Sequence, residues 1–268
     1  MRLCVVGFGL VGASVAAAHR ARDSAASVVA VDAPHVLARA AADVKVDRGD
    51  ARGVERELAS ADLVVLAAPV SVIEAELPRV LAHASLVTDC GSTKRSIVGA
   101  AASAARRGRF VPGHPLAGGS SAGPDAATAE LFQGRAWVLC PEGSDADAFA
   151  KVEAFVQSLG ASPLVMSAEE HDRALALTSH VPQLLASVLI VLAERRRARH
   201  AAGPGFASAT RVAGGNPEIW RDILATNADE VAAALRELGR ELGSAADGLE
   251  RGDTDAALAI IRAARQHG

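Results

Sequence analysis

One histidine, His114, lies in a stretch rich in proline and glycine, VPGHPLAGGSSAG at residues 111–123. Pro112 and Pro115 lack an amide donor and push the preceding residue toward extended geometry, which predicts a fixed turn that neither a helix nor a strand absorbs. Because the pKa of an unperturbed histidine is about 6.5, an imidazole held in this way is suited to accept a proton. A glycine-rich surface turn with an incidental histidine is the alternative interpretation.

The N-terminus carries a glycine spacing typical of dinucleotide binding. Gly7, Gly9 and Gly12 form G-x-G-x-x-G between an apolar run at residues 3–6, which predicts a buried strand, and a helical pattern. The first glycine permits a tight turn, the second lets a pyrophosphate approach the backbone, and the third lets helix and strand pack closely. The residues predicted to bind the cofactor here are Gly7, Phe8, Gly9, Leu10, Val11 and Gly12.

A carboxylate follows the second predicted strand, residues 27–31. Asp32 lies 20 residues beyond Gly12, where such a carboxylate accepts hydrogen bonds from the adenosine ribose and repels a 2'-phosphate. The sequence therefore predicts NAD in preference to NADP, although Arg39 in the following helix weakens that preference. Alternatively, Asp32 caps the helix that starts near Pro34.

Strands and helices alternate over the next sixty residues. Helices are predicted at 50–59 and 71–81 and strands at 62–67 and 85–88, which indicates an α/β fold with a Rossmann-type, doubly wound parallel sheet. Ligands of such sheets lie at the carboxyl ends of the strands. Three residues are predicted at these ends: Ala68 and Pro69, which would lie beside the nicotinamide, and Ser92. Ser92 is a helix N-cap, a functional hydroxyl, or both, and Lys94 is interpreted as a solvated surface charge in preference to a catalytic amine.

The pattern changes after residue 145. A helix at 145–159 and a last strand at 163–166 are followed by helical patterns at 168–199, bent or interrupted near Val181 and Pro182, at 217–242 and at 253–264. We therefore expect a dinucleotide-binding domain at 1–166 and an all-helical domain at 167–268. Helices apolar on one side typically pack in a bundle or across a dimer seam. No apolar run of the roughly 18 residues needed to cross a bilayer is expected.

The composition excludes several classes of protein. Half of the 268 residues are hydrophobic and the net charge is −3, so no general affinity for nucleic acid or an anionic membrane is expected. Cys4, Cys90 and Cys140 lie in or beside apolar runs without C-x-x-C spacing, which indicates reduced core thiols of a cytoplasmic protein. No secretion signal and no metal site are predicted.

Five blocks of the chain together resemble the prephenate and arogenate dehydrogenases of tyrosine biosynthesis. They occur in the order of that family and are GFGLVGAS near the N-terminus, DCGSTK at 89–94, GHPLAG at 113–118 with the segment after it, SHVPQ at 179–183 and RVAGGNPEIWRDIL at 211–224. The resemblance implies NAD(P)-dependent oxidative decarboxylation of a cyclohexadiene substrate. It also implies a C-terminal helical domain that forms a homodimer.

The resemblance assigns roles to four residues. It implies that His114 is the catalytic histidine that hydrogen-bonds the ring hydroxyl, and that Ser92 helps to orient that hydroxyl. Arg211 would hold a substrate carboxylate and His180 would lie in the substrate pocket. The chain departs from the family at two places. Ser120 or Ser121 stands where an acidic or larger polar residue is frequent, and Gln183 stands where a second histidine is common.

These residues favour conversion of prephenate to 4-hydroxyphenylpyruvate. The departures leave arogenate and 4-amino-4-deoxyprephenate open as substrates. A hydroxyacid dehydrogenase of the Rossmann-plus-helices kind would be expected to use a lysine of the helical domain, and residues 167–268 contain none. A catalytically silent NAD-binding regulator would be expected to lack His114 or Arg211, and both are present.

Three further features have a structural and a functional interpretation. The run ERRRARH at 194–200 could bind nucleic acid, but cations in the last turn of a helix complement its dipole, which is the favoured interpretation. His171 among Glu169, Glu170 and Asp172 could suggest a metal, but a solvated helix start is favoured. Trp220 could line the pocket or pack in the core.

Overall fold

The structure is a computed structural model that describes residues 1–39, 47–48, 54–118 and 123–267. Ser120 and Ser121, and the first residues of the helix predicted at 50–59, lie outside the described residues.

Six strands form a parallel sheet in the order β3-β2-β1-β4-β5-β6. The order reverses beside β1, which makes the gap between β1 and β4 the switch point at which such sheets bind ligands. This confirms the predicted doubly wound sheet. The strands are β1 (Arg2–Val6), β2 (Ser27–Val31), β3 (Asp47–Arg48), β4 (Leu63–Leu66), β5 (Val87–Asp89) and β6 (Phe110–Val111).

Helices pack on both faces of this sheet, so its central strands β1 and β4 are buried on both sides. Leu3 and Val5 point into one apolar core and Cys4 into the other, as the period of two in a strand requires. Cys4, Cys90 and Cys140 are free thiols, and burial raises the pKa of Cys4 and of Cys140 to about 12. The helices are α1 (Leu10–Arg22), α2 (Pro34–Leu37), α3 (Val54–Ser60), α4 (Val70–His83), α5 (Arg95–Ala101) and α6 (Ala146–Ser158).

A second, three-stranded sheet contains the histidine loop. Its strands are β7 (Gly113–Pro115), β8 (Ala136–Leu139) and β9 (Ser162–Val165), with β7 antiparallel and β9 parallel to β8. The prediction that no strand absorbs His114 is wrong, because His114 is paired with Val138 of β8. Pro112 falls between β6 and β7 and Pro115 ends β7, so neither proline interrupts a strand. A short edge strand tolerates such prolines.

The remainder is helical, as the sequence predicts. It consists of α7 (Ala168–Leu175), a π-helical turn (Ala176–His180), α8 (Val181–Arg195), α9 (Pro204–Thr210), a 3-10 turn (Arg211–Gly214), α10 (Pro217–Thr226), α11 (Ala228–Glu250) and α12 (Asp255–His267). The single helix predicted at 217–242 is two helices, which are separated by Asn227. Near Pro182 a π-helical turn replaces the predicted break, because the wider turn accommodates a residue that cannot donate an amide hydrogen bond.

Because of that turn, Ala168–Arg195 is one continuous helix of 28 residues. Its most apolar 18-residue window has a mean hydropathy of 1.8, so the prediction that no segment has the length and composition of a membrane span is wrong. The sequence had predicted a bend or interruption of this helical segment near Val181 and Pro182. The core helix of a soluble protein meets the same criteria, but only 33% of this window is buried within the chain. The other residues of this window are therefore at least partly exposed on the single chain.

Candidate active site

The glycine loop after β1 has the shape that a dinucleotide requires. Gly7 has φ +90°, and a Cβ on Gly7 would collide with the carbonyl oxygen of Ala67. A Cβ on Gly12 would collide with the carbonyl oxygen of Gly7, so these two positions need glycine for close packing. A Cβ on Gly9 would meet nothing within 4 Å, which leaves open space over the loop. This is the arrangement in which a pyrophosphate reaches the backbone.

The first turn of α1 offers its amides to this space. Gly9 is the N-cap residue, no side chain caps the helix, and the first turn contains no acidic residue. A helix N-terminus without an internal acceptor attracts phosphate through its free amides and its dipole. The loop and helix therefore fit a dinucleotide, with Phe8, Leu10 and Val11 contributing backbone around the glycines.

Asp32 lies directly after β2, beside the glycine loop. Its carboxylate accepts hydrogen bonds from the amide of Phe8, at 2.6 Å, and from that of Ala33, at 2.6 Å. The alternative that Asp32 caps α2 is wrong, because the N-cap residue is Ala33 and no side chain caps that helix. Arg39, the one cation that weakened the NAD preference, forms an ion pair with Asp125 at 2.7 Å.

Ala68 and Pro69 follow β4 at the same edge of the sheet, and Pro69 is the N-cap residue of α4. The helical part reaches this point, since Asp222 of α10 accepts hydrogen bonds from the amide of Ser71, at 3.0 Å, and from its hydroxyl, at 2.6 Å. The edge at which the predicted nicotinamide contacts lie is therefore closed on one side by the helices.

His114 is the first of three groups that are linked by hydrogen bonds and are buried or half-buried. Nδ1 of His114 lies 2.8 Å from Nε2 of His171, and Nδ1 of His171 lies 2.8 Å from Oδ1 of Asp172. A carboxylate oxygen only accepts, so Nδ1 of a neutral His171 donates and its Nε2 accepts the proton of His114 Nδ1. Nε2 of His114 then carries a lone pair. The chain thus presents His114 as a proton acceptor.

The electrostatics of the site favour these charge states. Burial first, and then the nearby His171, Lys94 and His180, lower the pKa of His114 well below 6.5. Burial also lowers the pKa of His171. Burial alone would raise the pKa of Asp172, but hydrogen bonds from His171 and two backbone amides outweigh it and lower that pKa. Both histidines are therefore neutral and Asp172 is ionised at neutral pH.

Asp172 also joins the helical part to the sheet. Its Oδ1 accepts from the amide of Lys94 at 2.7 Å, and its Oδ2 accepts from that of Arg95 at 2.9 Å, so it caps the N-terminus of α5. Capping by a carboxylate satisfies amides that would otherwise lack acceptors. The same side chain thus fixes both the tautomer of His171 and the position of α7 on the sheet.

No role in the site was predicted from the sequence for His171 or Asp172. The favoured interpretation as a solvated helix start is wrong, because both side chains are fully buried. Ser167 and Glu170 do form a capping box at the start of α7, which explains the solvated pattern. A signal was present, since Ala168, His171, Asp172 and Leu175 follow the i, i+3, i+4, i+7 spacing of a buried helix face. Within the described ranges, no group of three or more His, Cys, Asp or Glu residues could hold a metal ion.

Lys94 is buried beneath the histidine, so its interpretation as a surface charge is wrong. Its Nζ forms an ion pair with Asp89 and donates to the carbonyl oxygen of Gly113 at 2.8 Å. Asp89 in turn accepts from the amides of Gly91, at 2.8 Å, and Gly113, at 2.9 Å. The pair therefore holds both backbone polar groups of the residue that precedes His114.

Ser92 lies half-buried in the turn between β5 and α5. It is not the N-cap that the sequence suggested, because Lys94 has that position and Asp172 supplies the cap. Its predicted role as a functional hydroxyl does not depend on the cap.

His180 ends the π-helical turn and is 1% exposed. Its ring meets that of Trp220 edge to face, with centroids 5.9 Å apart, and its charge would lower the pKa of His114. Trp220 and Gln183 line an adjacent cavity of about 220 Å³, so Trp220 faces a pocket. Arg211 is exposed, and its guanidinium has neither a hydrogen bond nor an ion pair to another described residue, but its neighbours Ala213 and Gly215 line the same cavity.

Comparison with known proteins identifies the family of this chain. The nucleotide-binding domain model of prephenate dehydrogenase matches residues 15–165, and the dimerization domain model of prephenate dehydrogenase matches residues 167–263. The chain belongs to the prephenate dehydrogenase family. It is therefore an oxidoreductase, and the family resemblance of its sequence blocks is confirmed.

Two relatives and one solved structure are similar to this chain. The cyclohexadienyl dehydrogenase of Zymomonas mobilis is 33% identical over 244 residues, which cover 87% of this chain and 83% of that protein. The prephenate dehydrogenase of Bacillus subtilis is 30% identical, with 99% of this chain and 74% of that protein covered. The structure of Aquifex aeolicus prephenate dehydrogenase with hydroxyphenyl propionate and NAD+ has a TM-score of 0.87 at 24% identity, covering 100% of this chain and 98% of that chain. That likeness shows the shared fold.

Proposed function

We propose that this member of the prephenate dehydrogenase family converts prephenate to 4-hydroxyphenylpyruvate and carbon dioxide, with NAD as the oxidant. The observation that carries the proposal is the chain from Asp172 through His171 to His114, which leaves Nε2 of His114 as an acceptor. Bound NAD supplies a hydride acceptor for the ring carbon that bears the hydroxyl. The dinucleotide domain spans residues 1–166 and the helical domain 167–268.

His114 acts on the ring hydroxyl. Its Nε2 accepts the hydroxyl proton as positive charge develops on the ring carbon that loses hydride, and a positioned base of this kind contributes roughly 100- to 10,000-fold in rate. Loss of carbon dioxide from the opposite ring carbon restores aromaticity, and the proton returns to the phenol oxygen. The hydride carries two electrons to NAD. The electron pair of the broken bond between the ring and the carboxylate then completes the aromatic ring.

The remaining predicted residues position the substrate. Ser92 orients the hydroxyl against His114, and His180 lies in the substrate pocket. Arg211 binds a carboxylate of the dianionic substrate, for which a guanidinium is suited because it donates two parallel hydrogen bonds. The exposure of Arg211 leaves its donors available.

The choice of NAD is supported by Asp32 and Arg39. The carboxylate of Asp32 at the end of β2 would repel a 2'-phosphate. The guanidinium of Arg39 is held by Asp125 at 2.7 Å and so offers less positive charge to such a phosphate. Gly7, Gly9 and Gly12 with the first turn of α1 bind the pyrophosphate, and Ala68 with Pro69 lies beside the nicotinamide.

We infer that the chain acts as a homodimer in the cytoplasm, with no nucleic-acid or membrane partner. The match to a dimerization domain supports the dimer. Exposed apolar side chains also support it, since Leu235, Leu242 and Leu249 repeat every seven residues along α11. A second copy that covers these side chains and the apolar face of α8 would bury that face, as in the core helix of a soluble protein. Free cysteines are typical of a reducing compartment.

The test of the reaction is absorbance at 340 nm with purified protein and NAD. Prephenate, arogenate and 4-amino-4-deoxyprephenate are offered in parallel, because Gln183 lines the pocket where the family commonly has a histidine. We expect reduction with prephenate, and weaker reduction when NADP replaces NAD. Reduction with one of the other two substrates would keep the chemistry and correct the substrate. No reduction with any of the three, while NAD binds, would contradict the proposal and favour a silent NAD-binding regulator.

A further inference from the structure

Asn227, between α10 and α11, is fully buried and lies at the junction of the sheet and the helices. Its Oδ1 accepts from Nη2 of Arg95 at 2.9 Å. Its Nδ2 donates to the carbonyl oxygen of Asp172 at 2.7 Å and faces Nδ1 of His180 at 3.3 Å. One amide therefore contacts both His180 and the backbone of Asp172, the residue whose carboxylate holds His171.

The orientation of this amide is determined by its partners. A guanidinium only donates and a carbonyl oxygen only accepts, so Oδ1 must face Arg95 and Nδ2 must face Asp172. Arg95 is itself held by Asp229, with Nη1 at 2.8 Å, and by Asp172, with Nε at 3.3 Å. Reversing the amide would place two donors against each other and two acceptors against each other.

That orientation fixes the tautomer of His180. Because Nδ2 of Asn227 donates, Nδ1 of His180 must hold a lone pair. Burial lowers the pKa of His180 to about 4, so the ring is neutral at physiological pH and its single proton is on Nε2. No other described residue hydrogen-bonds Nε2, so this N–H has no acceptor within the described part of the chain.

We propose that Asn227 is a positioning residue that holds His180 as an Nε2–H donor, directed to an oxygen of the anionic substrate. The substrate part of this inference rests on the proposed function, whereas the tautomer does not. His114 and His180 then have opposite character, although both are neutral. His114 accepts a proton through its Nε2, and His180 donates a hydrogen bond through its own.

The tautomer is tested on the whole protein by the 15N chemical shifts of its imidazoles at pH 7.5, without substrate. The His180 signals are assigned by their loss in His180→Gln. We expect a protonated Nε2 and an unprotonated Nδ1. A protonated Nδ1 in the wild-type protein would overturn the proposal, and this measurement requires no folded Asn227 variant.

The positioning role of Asn227 is tested with Asn227→Asp. Because a carboxylate only accepts hydrogen bonds, this variant favours a proton on Nδ1 of His180. We expect the 15N pattern of His180 to change and KM for the substrate to rise roughly 10- to 100-fold, with a smaller change in kcat. The matched control is Thr226→Val, which removes the 2.7 Å contact between Thr93 and Thr226 at the same junction but none of the partners of His180. The control is expected to leave the His180 signals unchanged.

An Asn227→Asp protein that keeps both the wild-type 15N pattern and the wild-type KM would overturn the proposal. A KM increase of equal size in Thr226→Val would also overturn it, because the effect would then come from the junction and not from His180. If wild-type His180 has the Nε2–H form but none of the three substrates is oxidised, the proposed function fails while the tautomer assignment stands.

Discussion

The imidazoles of His114 and His171 meet edge to face, with Nδ1 of His114 2.8 Å from Nε2 of His171. The two residues come from different parts of the fold, His114 from the edge strand β7 and His171 from the first helix after the sheets. The direction of their hydrogen bond is set by the carboxylate of Asp172. The basicity of His114 therefore depends on a helix that the nucleotide-binding part does not contain.

Replacing His171 should impair turnover more than binding. His171→Phe keeps a ring in the buried site but removes the acceptor of the His114 Nδ1 proton, so the tautomer of His114 is no longer fixed. We expect kcat to fall roughly 10- to 100-fold, with little change in the Kd for NAD. The control is His200→Phe, at an exposed histidine near the end of α8, which should leave kcat unchanged. A His171→Phe enzyme with wild-type kcat would show that the histidine pair is structural.

The pH dependence of kcat/KM follows from the lowered pKa of His114. The base must be neutral, and its pKa lies well below 6.5. We expect kcat/KM to stay level as the pH falls past 6.5 and to decline only at lower pH. A steady-state profile with an acid limb at pH 6.5 would mean that His114 is solvated in the working enzyme.

Stability should also decrease in mildly acidic solution. The pKa of His180 is about 4 in the folded chain and 6.5 in the unfolded chain, so below pH 6.5 the unfolded chain binds a proton that the folded chain does not. The free energy of unfolding is therefore unaffected above pH 6.5 and falls as the pH is lowered toward 4, by at most about 1.4 kcal/mol per pH unit for each such group. Asp172 titrates below this window, since its pKa is lowered from 3.8.

Denaturant titrations at pH 7.5, 6 and 5 measure this dependence. His180→Gln, which cannot bind the proton, should give a smaller decrease in the free energy of unfolding between pH 7.5 and 5 than the wild-type protein. Equal slopes for the two proteins would contradict the burial of a neutral His180.

The buried ion pair of Lys94 and Asp89 should be a stability determinant. Lys94→Met leaves Asp89 buried without a countercharge, which typically costs about 3–5 kcal/mol. The matched control is Lys151→Met, which breaks an exposed ion pair with Asp147 and should cost less than about 1 kcal/mol. Similar losses in the two variants, measured by denaturant unfolding, would show that the Lys94 pair contributes little.

Local patterns in the sequence predicted the nucleotide-binding half well. The glycine spacing after β1 and the strand Ser27–Val31 were identified because apolar periodicity and turn chemistry act over a few residues. The burial of Lys94 and Asp172 was not predicted, because a buried charge depends on partners that the fold supplies. The amide of Lys94 meets a carboxylate 78 residues away.

The histidines of the site show the same limit. His114 was singled out by the prolines and glycines around it and by family resemblance. His171 has no such local signal, since acidic neighbours and a capping box give α7 the composition of a solvated helix start. Only the helical spacing of its buried face distinguished it. Asn227, in a segment predicted as one continuous helix, gave no signal because its role arises from the break between α10 and α11.

His114 is the proton acceptor of the proposed reaction, and His114→Asn tests this role most directly. The measurement is single-turnover reduction of NAD with saturating prephenate, together with the Kd for NAD from fluorescence titration. We predict that the Kd is close to that of the wild-type protein and that the single-turnover rate falls roughly 100- to 10,000-fold, because the variant has no group that accepts the hydroxyl proton. A near wild-type rate in a variant that binds NAD normally would remove His114 from the mechanism.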